Sequence, residues 1–290
     1  MNTAQRCWAV SIAVAGMLHF VHPAFGAPLP LQTESGGIAE NLSSTNWAGY
    51  AAVAPANDHF TYVQAVWTVP TISASSPAFS FSSTWVGLDG FGSSTVEQIG
   101  TEADGAPGDS AAAQYYAWIE LFPANPLVIS NLTIHPGDTV GASVEYTGGN
   151  SFFFYMANFS TNIAVQGTLN TPSSVQRHSA EWIEEAPSSN SGVLPLADFQ
   201  SVTFSQAYAQ LASQAAVDPS TIYSVDTFNS LPLDLVPLSG FGARTGPLSS
   251  DGTTFTVDAT IPEPASLGTL ALAGIPLILR RARTPRATHR

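Results

Sequence analysis

Four segments of this 290-residue chain place carboxyl and amide side chains among tryptophans on stretches that read as β-strands. In Ser83-Thr84-Trp85-Val86-Gly87-Leu88-Asp89-Gly90 a strand runs into a glycine turn with Asp89 at its lip. In Glu97-Gln98-Ile99-Gly100, Gln98 alternates with Val96 and so points away from Glu97 and Ile99. Tyr116, Trp118 and Glu120 share one face of the run from Tyr115 to Phe122, so Glu120 stands in an aromatic row rather than in a solvated charge pattern. Glu181 and Ile183 lie together, away from Trp182 and Glu184. Carboxyl groups held in this way can move protons in a reaction. A pair such as Glu120 and Glu181 could also act across a sugar ring, as in glycosidases. Any one segment is equally a half-buried strand with one polar residue toward water; four together point to a site.

Other chemistries are excluded by what the sequence lacks. There is no H-E-x-x-H, no G-x-S-x-G elbow, no P-loop and no D-T-G or D-S-G of the kind that carries an aspartic dyad. His59, His135 and His178 have no partner at metal-ligand spacing, so neither a metal nor a cofactor is expected. The single cysteine, Cys7, falls in an N-terminal export signal, which leaves the exported chain without a disulfide, a thiol nucleophile or a thiolate metal site.

The formal net charge is −13, and between Ala27 and Ile261 the only permanent cations are Arg177 and Arg244. Nucleic acid and anionic membrane would both repel such a chain. Protonation of carboxylates would relieve its self-repulsion, which suits an acidic medium; excess acid equally serves solubility.

The elements that must position these residues are short, alternating and rich in β-branched and aromatic side chains, with Gly, Pro, Asn and Ser between them. Strands are predicted at 62–69, 82–88, 96–100, 113–122, 127–134, 139–146, 152–158, 163–169, 177–183, 202–205 and 254–257. So many strands call for an all-β sandwich of two packed antiparallel sheets. The Ala- and Gln-rich stretch from Ser205 to Ala216 could be an isolated helix at an edge.

Arg6, the apolar run from Trp8 to Val21 and the small residues up to Gly26 make residues 1–26 a secretory signal. Residues 27–44 lack periodicity and read as a short pro-segment or a disordered arm. The domain proper takes up 45–260. At 261–290, Pro262-Glu263-Pro264, an apolar stretch from Ala265 to Leu279 and the following arginines resemble the PEP-CTERM sorting signal of Gram-negative bacteria. That resemblance implies an exosortase-type partner, transient anchoring in the inner membrane and an extracellular or cell-surface destination. An ordinary C-terminal anchor with basic flanks is the plainer alternative.

Six motifs in order carry a further resemblance: Asn46-Trp47-Ala48-Gly49-Tyr50, Val66-Trp67-Thr68-Val69-Pro70, Trp85-Val86-Gly87-Leu88-Asp89-Gly90, Gln98-Ile99-Gly100, Trp118-Ile119-Glu120-Leu121-Phe122-Pro123 and Ala180-Glu181-Trp182-Ile183-Glu184-Glu185. From Asn46 to Asp258 the chain resembles the eqolisins, the glutamic peptidases of family G1. The resemblance implies a concanavalin-like or lectin-like jelly roll with a cleft on one concave sheet, and a catalytic dyad at Gln98 and Glu181. It implies substrate contacts at Trp85 and Asp89, with Trp47 and Glu120 in support. It further implies an acid endopeptidase without metal or cofactor, a monomer acting on protein or peptide substrates. Where the family often has an acidic residue before Ala-Trp, this chain has Tyr116. A non-catalytic carbohydrate- or matrix-binding module and a glycosidase are the alternative readings, because sandwiches host many functions.

Overall fold

The computed structural model describes residues 41–73, 78–172, 174–237 and 240–261. The export signal with its cut after Gly26, most of the segment before Ser44 and the Pro-Glu-Pro sorting tail lie outside the described residues. From the N-terminal side, the strands are β1 (Leu42–Ser44), β2 (Trp47–Val53), β3 (Phe60–Thr68), β4 (Ser80–Leu88), β5 (Val96–Ala106) and β6 (Asp109–Phe122). They continue with β7 (Leu127–Thr133), β8 (Thr139–Gly148), β9 (Ser151–Asn158), β10 (Ile163–Asn170) and β11 (Ser179–Glu185). The short pair β12 (Ser188–Ser189) and β13 (Gly192–Val193) leads to β14 (Ser201–Leu211), α1 (Ala212–Ala215), β15 (Tyr223–Ser224), β16 (Asn229–Leu235), β17 (Gly242–Thr245) and β18 (Phe255–Thr260).

Rather than two separate sheets, one sheet runs β10-β9-β8-β3-β14-β18-β17-β16-β2-β11-β4-β5-β6-β7. Its pairings are antiparallel except that β1 joins β16 in parallel. The sheet folds over on itself, so that β3 and β8 pack on β4 and β10 reaches β7, nearly closing a barrel-like sandwich. The fold is all-β as predicted, with β16, β17 and β18 joining the two layers. Closure of this kind leaves little exposed edge for another chain to pair with.

The main core fills the space between the layers and includes Trp67, Val86, Ile99, Phe154, Trp182 and Phe204. Two indoles fasten the layers. Trp182 Nε1 on β11 donates to the Gln64 carbonyl of β3 at 2.7 Å, and Trp67 Nε1 on β3 donates to Thr101 Oγ1 of β5 at 3.0 Å. Each satisfies a donor that would otherwise cost about 1–3 kcal/mol to bury.

Ser205–Ala216 is not a helix: β14 continues to Leu211, and only Ala212–Ala215 turn helically. Ala207, Ala209 and Leu211 are buried at a period of two, which a helix could not match. A register shift between Ser205 and Tyr208, with Gln206 at φ 48°, bends the strand onto β3.

Candidate functional site

Strand register on the β2-β11-β4-β5-β6 half builds the site in rows, because residues paired across neighbouring strands project from the same face. One row reads Ala51, Glu181, Gly87, Gln98, Glu120. Two residues along, the next reads Gly49, Ile183, Trp85, Gly100, Trp118. The third reads Trp47, Glu185, Ser83, Glu102, Tyr116. Trp47, Trp85, Trp118, Val96 and Ile183 form a second apolar cluster on this face, separate from the core between the layers.

Two glycines make the rows possible. A Cβ at Gly87 would lie 3.0 Å from Gln98 Cβ and from Trp85 Cζ3, so only a residue without a side chain lets Glu181 and Gln98 approach across it. A Cβ at Gly100 would lie 2.6 Å from Trp85 Cβ and 2.9 Å from Trp118 Cζ2. The two indoles therefore occupy the space that its side chain would need.

Gln98, Glu120 and Glu181 are all buried. Gln98 Nε2 donates to Glu120 Oε2 at 2.7 Å. The backbone N–H of Phe91, in the turn after β4, donates to Glu181 Oε1 at 3.3 Å. Glu181 Oε2 and Gln98 Oε1 have no hydrogen-bond partner among the described residues. Burial pushes the pKa of Glu181 well above the ordinary carboxylate range, and the nearby acids Asp89 and Glu97 push the same way. Working against this are the Phe91 N–H and the Ser179 hydroxyl, which is close by but outside hydrogen-bonding geometry.

The Trp85 indole is oriented by a carboxyl on the third row. Trp85 Nε1 donates to Glu185 Oε2 at 2.8 Å, while Asn46 Nδ2 holds Glu185 Oε1 at 3.2 Å. Trp47 meets Trp85 edge-on, with ring centroids 4.9 Å apart. Tyr116, in place of an acid, closes the third row and donates its hydroxyl to Asp104 Oδ2 at 3.3 Å. Burial first and then the neighbouring Asp104 raise the pKa of Glu102 well above its ordinary value.

Asp89 lies beyond the end of the row, near enough to Glu181 to raise its pKa. Its carboxylate accepts the backbone N–H groups of Gln176, Arg177 and His178 at 2.8, 2.6 and 2.9 Å, fixing the chain just before β11. On the core side of β11, Glu184 accepts from Ser82 Oγ at 2.5 Å and Thr84 Oγ1 at 2.6 Å. Burial nonetheless pushes its pKa up to about 8.

Of the residues singled out from the sequence, the structure brings Gln98, Glu120 and Glu181 into one row and sets Trp47 and Trp85 beside it. Gly87, Glu102 and Glu185 belong to the same face and were not among them, while Trp118 stands on the face of Glu120 as the alternation predicts. The signal was available for the two acids. Glu102 follows Gln98 by four residues, and Glu185 follows Glu181 by four, so alternation along a strand puts each on its partner's face. Glu120 and Glu181 stand three strands apart, about 14 Å between backbones at ordinary strand spacing, and Glu120 is bound to the Gln98 amide. A carboxyl pair acting across a sugar ring draws no support from that arrangement.

Such a face can pass protons through Glu181 and donate a hydrogen bond from Gln98. A model of the peptidase A4 family matches residues 45–231. Aspergillopepsin-2 of Aspergillus niger is 31% identical over 211 residues, 66% of this chain and 72% of that protein. Among solved structures, scytalido-glutamic peptidase with a peptide-based transition-state analogue aligns with a TM-score of 0.59 at 25% identity, over 74% of this chain and 98% of its own. Aspergilloglutamic peptidase from Aspergillus niger aligns with a TM-score of 0.53 at 26% identity, over 62% of this chain and 99% of its own.

Proposed function

Since this chain belongs to the peptidase A4 family and is a glutamic-type endopeptidase, we propose that Glu181 and Gln98 carry out its hydrolysis, in acid and outside the cell. The observation behind this reading is the row in which Glu181 and Gln98 flank the bare Gly87. As a carboxylate, Glu181 takes a proton from water, whose oxygen bonds to the scissile carbonyl carbon. The carbonyl oxygen becomes an oxyanion. An amide nitrogen carries two hydrogens; with one directed to Glu120 Oε2, the other remains for the oxyanion, a contact whose removal typically costs about 2.7–4 kcal/mol. When the C–N bond breaks, Glu181 returns its proton to the leaving amine and is a carboxylate again. No covalent intermediate and no metal take part. Burial raises the affinity of Glu181 for a proton, so in acid only its ionised fraction acts, as a correspondingly stronger base. The upper pH limit of activity is set by loss of the fold as the other buried carboxyls ionise.

Trp47 and Trp85 wall the site, and in this reading they pack against substrate side chains. Asp89 shapes it through the chain before β11. The reading includes the lectin-like jelly-roll arrangement, action as a monomer, export by residues 1–26 and exosortase-type sorting through 261–290 to the surface of a Gram-negative bacterium. Residues 27–44 stand before the domain as a short pro-segment or arm, of which Leu42–Ser44 joins the sheet as β1.

The test is hydrolysis of acid-denatured casein between pH 2 and 7, with and without pepstatin. Cleavage confined to acid, indifferent to pepstatin and abolished by Glu181→Gln and by Gln98→Ala is the expected result. A folded Glu181→Gln protein with full activity would end the proposal.

A further inference from the structure

The described residues contain five basic side chains, His59, His135, Arg177, His178 and Arg244, in a chain of net charge −13. Three of the five meet at one place. The rings of His59 and His178 lie parallel to within 4°, with centroids 5.5 Å apart. His59 Nδ1 donates to the Gln176 carbonyl at 2.9 Å, which fixes the ring and leaves Nε2 for another partner. Arg177 is next in the chain. Its guanidinium lies 3.7 Å from the centre of the Tyr146 ring and donates to the Phe60 carbonyl at 3.2 Å.

The two imidazoles line a cavity of about 500 Å³ together with Val53, Ala54, Pro55 and Asn57. Its position relates it to the dyad. Val53 pairs with Ser179, two residues along from the Ala51–Glu181 pair and on the same face of the sheet. At a strand rise of about 3.3 Å per residue, Val53 stands about 7 Å from the row of Glu181 and Gln98. It lies on the side of that row away from the tryptophans. Ala54 and His178 follow one residue beyond that pair, where β2 and β11 end and alternation turns them toward the other face. A substrate extended over the row and past the strand ends would therefore bring a residue about three or more places from its scissile bond to the cavity.

Two acids border the cluster; their oxygens are taken up by other donors, although the charge of Asp58 reaches His59. Asp58 accepts the backbone N–H groups of His59 and Ser213 and the Ser213 hydroxyl. Asp89 accepts the three N–H groups before β11. Imidazole N–H groups gathered beside a guanidinium are donors suited to an anion.

Resting on the peptidase reading for its substrate, we propose that the His59–His178 cavity is a subsite for a substrate carboxylate, either an Asp or Glu side chain or a C-terminal carboxylate. Over the rest of an acidic surface such groups are repelled. Here they meet charge-assisted donors, the stronger class of hydrogen bond.

Two measurements test the site. In the first, imidazole resonances of full-length Glu181→Gln protein are followed at pH 5 while uncleaved peptides are added: one amidated with an internal Glu, one with Gln in its place, and one with Gln and a free C-terminus. The resonances of His59 and His178 should move with an acidic peptide and not with the neutral one, and which acidic peptide acts identifies the source of the carboxylate. In the second, kcat/KM is compared for peptides carrying Glu or Gln at each position around the scissile bond. Glu should be favoured about tenfold at one position, and the ratio should fall to near one in His59→Gln/His178→Gln. Unmoved resonances with every peptide, or a ratio unchanged in the double variant, overturns the subsite. Moved resonances without cleavage of any peptide by the unsubstituted protein would leave the anion site standing and remove the peptidase reading.

Discussion

Glu181 and Gln98 face each other across Gly87, which is paired with both and offers no side chain between them. A methyl group there would meet Gln98 Cβ at 3.0 Å and the Glu97 carbonyl at 3.2 Å, both held by the strand itself. Relief requires the strands to part by a few tenths of an ångström. For groups that must act on one bond, small displacements weigh heavily, and a misplacement of about 1 Å can cost on the order of 10²-fold in rate. Gly87→Ala should therefore lower kcat by about 10- to 100-fold while leaving the melting temperature within a few degrees. An unchanged kcat in steady-state assays would show that the two side chains do not act as a unit.

Glu120 controls the amide from the other side. Its Oε2 holds one hydrogen of Gln98 Nε2 at 2.7 Å and so decides where the second one points. Glu120→Ala should reduce kcat about 10- to 100-fold with little change in KM, because the lost alignment matters when the oxyanion forms. Glu120→Gln keeps an acceptor oxygen and should fall between the two. A rise in KM alone would instead make Glu120 a ground-state binding group.

How much of this was legible in the sequence follows from what each residue needs. Gln98, Glu120 and Glu181 sit on strands with clear alternation, so their facing could be read from a period of two. β2 could not be read that way: Trp-Ala-Gly-Tyr-Ala-Ala-Val is small and buried on both faces, with little polar contrast. β16 was hidden by Pro232, which usually speaks against a strand inside a sheet. Pro232 is tolerated because β1 and β17 join β16 only within Leu233–Leu235, beyond it, so that β2 is the one strand paired with it. The role of Gly87 depends on register between three strands, which alternation within one strand does not reveal.

Asp89 offers a test of structure rather than chemistry. Its two oxygens accept three backbone N–H groups, from Gln176, Arg177 and His178. Asn would replace one acceptor with a donor and set it against N–H groups already fixed by the chain. Asp89→Asn should destabilise by about 2–4 kcal/mol, the cost of buried donors left unpaired, which corresponds to a fall of several degrees in melting temperature. A melting temperature equal to that of the unsubstituted protein would mean that the segment before β11 is held by other contacts.

The buried carboxyls predict how stability depends on pH. Burial, with Asp89 adding to it and Arg177 opposing, raises Glu97 to about 9, and burial raises Glu184 to about 8, against an ordinary value of 4.5. Glu102 and Glu181 are displaced in the same direction. In each case the folded chain holds a proton that the unfolded chain has already released. Their stabilising effect is thus complete below about pH 4.5 and is lost as the pH rises toward 8 or 9. At about 1.4 kcal/mol per pH unit for each group, Glu97 alone can withdraw up to about 6 kcal/mol and Glu184 about 5 kcal/mol, comparable with the whole stability of many domains. Unfolding is therefore expected near or above neutral pH, and urea titrations from pH 3 to 9 should show a steadily falling midpoint. Glu97→Gln should extend stability furthest into alkali, because neither oxygen of Glu97 has a hydrogen-bond partner among the described residues. Glu184→Gln should gain less, since the Ser82 and Thr84 hydroxyls already support the ionised form. A midpoint that stays flat from pH 4 to 9 would refute the account, and an equal gain from both substitutions would refute the ranking.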